Sequence, residues 1–105
     1  MVIRYKNGDG KLITKICVLC NRKIVRVKNY ADFPLDNAFG LKSPENVTWD
    51  DVYRFLISRT YPENRANINE ILEDLGLKEY DPIKMCRITR GRMTNDQNWL
   101  TIRAL

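Results

Sequence analysis

The sequence contains no histidine, so the side chain that most often serves as a general base in enzymes is missing. Serine is also scarce, and neither Ser43 nor Ser58 lies in the pattern of a nucleophile elbow. Gly8 and Gly10 fall in a predicted hairpin turn and not at a strand–helix junction that could cradle a phosphate group. These absences argue against catalysis, and we expect a protein that acts by binding.

Long apolar runs are missing as well. No stretch of about 18 apolar residues occurs, so no transmembrane helix is predicted. The first residues, Met1 to Lys6, lack the apolar block of a secretory signal peptide. We therefore expect a cytoplasmic protein that does not associate with a membrane.

Cysteine occurs three times, and an odd number favours a reducing compartment over a framework of disulfides. Cys17-x-x-Cys20 is the most obvious chemical motif, and it could be half of a zinc site or a redox pair. A structural zinc site needs four ligands, however, and only Cys86 remains. We expect no metal and no cofactor, with a zinc knuckle at Cys20 as the alternative.

Charged residues are sorted along the chain. Residues 1–28 contain eight Lys or Arg and one acid, residues 29–81 contain five and eleven, and residues 82–105 contain five and one. The net charges of these segments are +7, −6 and +4, within a total of +5. This sorting predicts that the two ends of the chain form one basic surface and that the middle forms an acidic helical layer.

Strands are predicted at both ends of the chain. Residues 2–6, 12–20 and 23–28 are rich in β-branched and apolar side chains, and Asn21-Arg22 has the length of a two-residue hairpin loop. That loop would set the register of the second hairpin. The predicted pairs are Val18–Val25, Ile16–Val27, Cys17–Arg26 and Lys15–Lys28. The first two pairs would form a core face, and the last two a largely basic solvent face.

Helices are predicted in the middle of the chain. Thr48 and Asp51 have the spacing of a capping box, and the helix that they open should end before Pro62. Asn64 is expected to cap a second helix that ends at Gly76.

Further elements complete the predicted fold. A third helix should run from Asp81-Pro82 to about Arg90, Thr94 should cap one more turn over residues 95–98, and residues 99–103 should form a strand. The apolar residues of the crossover loop, which are expected to pack on the core, are Phe33, Leu35, Phe39 and Leu41.

The predicted architecture is a single α+β domain over residues 1–105, in which a small antiparallel sheet packs against three or four short helices. It comprises a basic β-hairpin region (1–28), a helical region (48–90) and a short turn with a terminal strand (94–105).

Two groups of residues are candidates for interaction. The residues predicted to bind an anionic partner, including RNA or DNA, are Lys15, Arg22, Lys23, Arg26, Lys28, Arg87, Arg90 and Arg92. The residues predicted to dock on a protein partner are Arg59, Arg65, Glu70, Glu73 and Asp74. The alternatives are a solubilising surface, helix capping by Arg59, and ion pairing of Arg65 with Asp51 or Asp96. Trp99 is expected in the core.

Part of the chain resembles a known group of proteins. The pattern is Arg59-x-x-Pro62-x-x-Arg65, an Ile68/Leu72 helix ending Leu75-Gly76-Leu77, and Thr94-x-Asp96-x-x-Trp99. Over residues 48–103 it resembles small accessory modules of Clostridia-type bacteria that are associated with HipA-like kinases. The resemblance implies a non-catalytic accessory domain. The kinase motifs themselves are absent, and the basic hairpin lies outside the pattern.

Two hypotheses of function follow. The first is a non-catalytic binding protein that docks on a bacterial partner enzyme, such as a kinase-like enzyme, and regulates it through segregated basic and acidic faces. The second is an inhibitor of a nucleic-acid-guided nuclease, encoded by a phage or mobile element and similar in role to anti-CRISPR proteins. Small size, missing catalytic groups and segregated charge fit both.

Overall fold

Residues 1–104 are described by the structure, a computed structural model; Leu105, the last residue of the predicted terminal segment, lies outside the described residues. One antiparallel sheet contains β1 (Val2–Lys6), β2 (Leu12–Leu19), β3 (Ile24–Asn29) and β4 (Trp99–Arg103), in the order β3-β2-β1-β4. The helices are α1 (Trp49–Ser58), α2 (Ile68–Asp74) and α3 (Pro82–Thr89). The predicted α+β fold is confirmed, including the C-terminal strand, which pairs with β1.

The β2–β3 hairpin has the predicted register, and all four predicted pairs are present. Asn21 and Arg22 both adopt positive φ, 54° and 72°. The backbone N–H of Lys23 donates to the carbonyl of Cys20 at 3.2 Å and closes the turn. Cys20 also has a positive φ, 53°, and the paired strands end at Leu19 and begin at Ile24. The turn therefore comprises residues 20–23; its two central residues have the positive φ of a type I′ turn, but the left-handed Cys20 departs from that type.

The core lies between one face of the sheet and helices α1 and α3. Ile3 and Ile16 from the sheet, Val52 and Leu56 from α1, and Cys86 from α3 are all completely buried in one cluster. Successive side chains of a strand point to opposite faces, so the residues that alternate with this apolar set lie on the face away from the helices. We call that face the outer sheet face.

Helix α1 begins with the predicted capping box. The Thr48 hydroxyl accepts from the backbone N–H of Asp51, and the Asp51 carboxylate accepts from the backbone N–H of Thr48 at 2.9 Å. Lys42 Nζ lies 2.7 Å from the same carboxylate. The hydrogen bonds from Lys42 and Thr48 lower the pKa of Asp51 to about 2.

Helix α2 is shorter than predicted. It begins at Ile68 after a series of turns, and its N-cap residue is Asn67, so the prediction of a cap at Asn64 is wrong. Its end is as expected. Gly76 has φ of 74°, and the N–H of Leu77 donates to the carbonyl of Leu72 at 2.8 Å, as in a Schellman motif.

Helix α3 opens at the predicted cap, where the Asp81 carboxylate accepts from the N–H of Ile83 at 3.0 Å. The further turn predicted over residues 95–98 is not helical. The reason is the role of Asp96, whose carboxylate accepts from Arg59 and from the N–H of Asn98. This segment therefore folds around an ion pair and not around helical hydrogen bonds.

The crossover between β3 and α1 differs most from the prediction. Phe33, Leu35 and Leu41 are 71%, 73% and 75% exposed, and only Phe39 packs against α1. Phe33 is the N-cap of the short 3-10 helix Pro34–Asp36 and Leu35 lies within it, whereas Leu41 lies in the turns that follow. These three exposed residues are called the apolar loop below.

Candidate functional site

All the Lys and Arg residues of the four strands lie on the outer sheet face. They are Arg4, Lys6, Lys15, Arg26, Lys28 and Arg103. Each alternates with apolar side chains that face the helices; on β1, for example, Ile3 and Tyr5 are in the core. The strands contain no Asp or Glu. One face of the sheet therefore carries positive charge only.

The cations are aligned across the strands. The first row is Lys28–Lys15–Arg4–Thr101, and the second is Arg26–Cys17–Val2–Arg103. Neighbouring strands are about 4.8 Å apart, and like charges directly opposite each other destabilise a sheet. The salt bridges among residues 1–104 involve other side chains and none of these six cations. The repulsion within the first row is therefore not relieved by a described acidic residue.

Three predicted binding residues, Lys15, Arg26 and Lys28, are on the outer sheet face as expected. Sequence reasoning missed Arg4 and Lys6 as members of the same face. The signal was present in β1, where these cations alternate with apolar residues at the period of a strand.

Other predicted binding residues lie elsewhere. The Arg22 guanidinium carbon lies 4.6 Å from the ring centroid of Trp49, and Arg22 and Arg87 line one groove at the end of the sheet. Lys23 is exposed in the hairpin turn. Arg90 follows the end of α3 in a left-handed conformation and is therefore not on the helix face that carries Arg87. The predicted basic residues therefore do not all lie on one surface.

Residues 90–92 are held in place by packing. The Arg90 carbonyl accepts from the N–H of Leu100 at 2.7 Å. Gly91 has φ of 61°, and a Cβ at this position would lie 2.8 Å from the Leu100 side chain. Only glycine fits both the backbone and the space. The fold therefore holds this segment in one conformation, and its backbone is not free to adapt to a phosphate backbone.

Trp99 is on the outer sheet face, because its Cα partner on β1 is Lys6. The prediction that it belongs to the core is wrong; Leu100 takes that place, one residue further along β4. Arg92 lies over the Trp99 ring, with its guanidinium carbon 5.5 Å from the ring centroid. Arg92 therefore extends the outer sheet face beyond β4.

Arg59 is an internal residue, only 6% exposed. Its guanidinium group donates to both carboxylate oxygens of Asp96, at 2.7 and 3.0 Å, and to the carbonyls of Gly91 and Asn98. The ion pair with Arg59 lowers the pKa of Asp96. This set of hydrogen bonds joins α1 to the segment before β4, and it removes Arg59 from the predicted docking surface.

The remaining docking candidates are exposed. Arg65 does not pair with either predicted acid, since its Nε donates to the Asn67 side chain at 3.0 Å. The acidic residues of α2, namely Glu70, Glu73 and Asp74, point to solvent. This part of the molecule keeps the negative charge that the sequence predicted for its middle.

The three thiols lie in different surroundings. Cys17 is half-buried on the outer sheet face, Cys20 is exposed in the turn, and Cys86 is in the core on the other side of the sheet. Burial raises the pKa of Cys86 to about 12, which keeps it a neutral thiol. Among the described residues, no group of three His, Cys, Asp or Glu side chains comes close enough to hold a metal ion.

Comparison with known proteins gives no relative. No protein-family model matches the chain, and neither the curated proteins nor the solved structures contain a significant match. In residues 1–104, none of the helices has the length and apolar character needed to cross a membrane.

Proposed function

We propose that this protein is a non-catalytic binding protein whose outer sheet face binds the phosphate backbone of RNA or DNA. The observation that carries the proposal is the row Lys28–Lys15–Arg4, in which three adjacent cations have no acidic partner among residues 1–104. Such a row costs stability in the free protein. Phosphate groups would supply the missing negative charge and release counterions from the nucleic acid.

The absence of suitable reactive groups supports a role without catalysis. The chain has no histidine. The hydroxyl of Ser58 is used in a hydrogen bond to the Phe55 carbonyl, and the thiol of Cys86 is buried with a raised pKa. These groups serve the fold, and none is an activated nucleophile.

We further propose that a bacterial enzyme is the protein partner and that docking on it regulates the enzyme. Two features support protein docking: the exposed acids of α2, and the apolar loop, whose large side chains could fill a pocket on a partner. A cytoplasmic location belongs to the same proposal, and three unpaired cysteines support it.

Inhibition of a nucleic-acid-guided nuclease is the second candidate. The observation that favours it is the combination of two opposite charges on one small chain. A basic face could contact guide RNA or target DNA, while the acids of α2 could enter a channel that normally holds nucleic acid. A kinase-like partner, by contrast, gives no role to the outer sheet face.

The test is a comparison of two triple variants with equal change in charge. Lys15→Glu, Arg26→Glu and Lys28→Glu reverse three charges of the outer sheet face. Lys11→Glu, Lys78→Glu and Lys84→Glu reverse three exposed charges elsewhere and form the control. Fluorescence anisotropy with labelled RNA and duplex DNA at two ionic strengths should show salt-sensitive binding that the first variant loses and the control largely keeps. Equal losses of binding in both variants would mean that binding depends on the net charge of the protein and not on the outer sheet face.

A pull-down from the native host with mass spectrometry identifies the partner enzyme. Replacement of Glu70, Glu73 and Asp74 by Lys should weaken its capture if α2 enters a basic groove. If both triple variants, of the outer sheet face and of α2, are folded by circular dichroism and both still capture the partner as well as wild type, docking through segregated charge is contradicted.

A further inference from the structure

Trp99 occupies a corner of the outer sheet face where two cations meet an aromatic ring. Lys6 Nζ lies 4.9 Å from the ring centroid, and the Arg92 guanidinium carbon lies 5.5 Å from it. The indole Nε1 donates to the carbonyl of Asn7 at 3.0 Å, which fixes the plane of the ring against the turn after β1. The ring is half-buried and does not belong to the core cluster.

The other tryptophan also has a cation over its ring, Arg22 at 4.6 Å, but it differs from Trp99 in its contacts with the core. Trp49 opens α1, packs against the core cluster and faces Tyr53 with ring centroids 6.0 Å apart. Trp49 therefore has an evident role in the fold. Trp99 lies outside the core cluster, and a hydrogen bond fixes its ring on the outer sheet face, where an aromatic side chain can receive a ligand.

Trp99 is continuous with the cations of the outer sheet face. Lys6 is its neighbour across the strands, and Arg4 follows on the same face of β1, about 7 Å further along the strand. A shallow depression beside them is lined by β1 and β4 residues that include Arg4, Lys6 and Arg103. A path therefore runs from the aromatic ring along the strand to the row of cations.

We propose that Trp99 is a stacking site for an unpaired base, so that the preferred ligand of the outer sheet face is single-stranded nucleic acid. This inference rests on the proposed function. An aromatic ring beside a basic groove binds single strands because every base has a π-face that can stack on it. In a duplex the bases are already stacked inside, and only phosphates reach the protein. Lys6 and Arg92, which cover the ring in the free protein, would turn to neighbouring phosphates.

The experiment uses the two tryptophans of the chain. In the Trp49→Phe variant, Trp99 is the sole indole, and its emission reports on the site alone. We expect an oligothymidylate of about 16 nucleotides to quench this emission on binding at low salt, whereas a duplex of the same length binds without comparable quenching. In the wild-type background, Trp99→Leu should weaken single-strand binding by about 5- to 150-fold and leave duplex binding nearly unchanged.

The outcomes separate this inference from the proposal on which it rests. Binding of both ligands without quenching in Trp49→Phe would overturn the stacking site and leave backbone binding intact. Binding of neither ligand at low salt would overturn the proposed function itself. If Trp99→Leu unfolds, as its melting curve would show, the quenching result alone decides.

Discussion

Charged side chains have opposite surroundings in two regions of the molecule: the helices with their loops, and the outer sheet face. Around the helices, cations meet acids at 2.7 Å in three ion pairs: Lys42–Asp51, Arg54–Asp50 and Arg59–Asp96. On the outer sheet face, six cations share one surface and none of these pairs involves them. Two pairs of the first kind, Lys42–Asp51 and Arg59–Asp96, join different segments, and Arg54–Asp50 lies within α1, whereas the cations of the second kind have no acidic partner in these pairs.

Arg59 and Arg65 make this contrast measurable within one junction between helices. Arg59→Met should lower the free energy of unfolding by about 1 to 3 kcal/mol, because it leaves two carbonyls and the partly exposed carboxylate of Asp96 without their donor. Arg65→Met removes an exposed side chain that makes one hydrogen bond, so it should change the free energy of unfolding by less than about 0.5 kcal/mol. Urea unfolding measures both. Similar effects at the two positions would contradict the internal role of Arg59.

Acid should destabilise the protein through the paired carboxylates. The pKa of Asp51 is lowered to about 2 and that of Asp96 is also lowered, both by hydrogen bonds from cations and backbone groups. Because the pKa of each Asp is lower in the folded protein than in the unfolded chain, where it is about 3.9, the ionised carboxylate stabilises the fold at pH values above about 3.9. This stabilisation is lost as the pH falls toward about 2.

The measurement is the thermal midpoint from pH 2 to pH 8. We expect a rise up to about pH 5 and little change from there to pH 8, where histidine would titrate if the chain had any. Asp51→Asn should make the acid limb less steep. If the decrease of the thermal midpoint in acid is unchanged in Asp51→Asn, the Lys42–Asp51 pair does not contribute to the pH dependence of stability.

A substitution at Lys15 tests whether the row Lys28–Lys15–Arg4 lowers the stability of the free protein. Lys15→Glu places an acid between Lys28 and Arg4, so it should raise the free energy of unfolding by about 0.2 to 1 kcal/mol at low salt. The gain should shrink at high salt, because these charges are near solvent. Lys78→Glu, at an exposed site near α2, serves as the control. A loss of stability in Lys15→Glu would mean that the row is not repulsive.

The hairpin register, the N-terminal caps of α1 and α3 and the C-terminal end of α2 could be predicted from sequence because local chemistry determines them. Asn21-Arg22 sets the register, Thr48 with Asp51 makes the capping box, and Gly76 ends α2. The outer sheet face could be predicted only in part. Its β2–β3 half follows from the hairpin register, and the alternation in β1 could have placed Arg4 and Lys6 together on one face of that strand. The position of β4 beside β1, by contrast, is a long-range pairing.

Contacts between distant segments account for the errors at Arg59 and Trp99. From the sequence, Arg59 is predicted to be an exposed arginine at a helix end. It is buried only because Asp96 and Gly91, which are distant in sequence, pack against it and accept its hydrogen bonds. Trp99 reads as a core aromatic, yet the register with β1 places Leu100 in the core and turns Trp99 outward. Local patterns contain no information about either contact.

The most direct test of the account is the salt dependence of single-strand binding by wild type, Lys15→Gln and Lys78→Gln. Each phosphate contact contributes about 0.7 to the slope of log affinity against log salt concentration for a single strand. If the outer sheet face binds the backbone, Lys15→Gln should lower the magnitude of this slope by about 0.7, and Lys78→Gln should leave it unchanged. Identical slopes for all three proteins would contradict the central claim that the unpaired cations of the sheet form the binding surface.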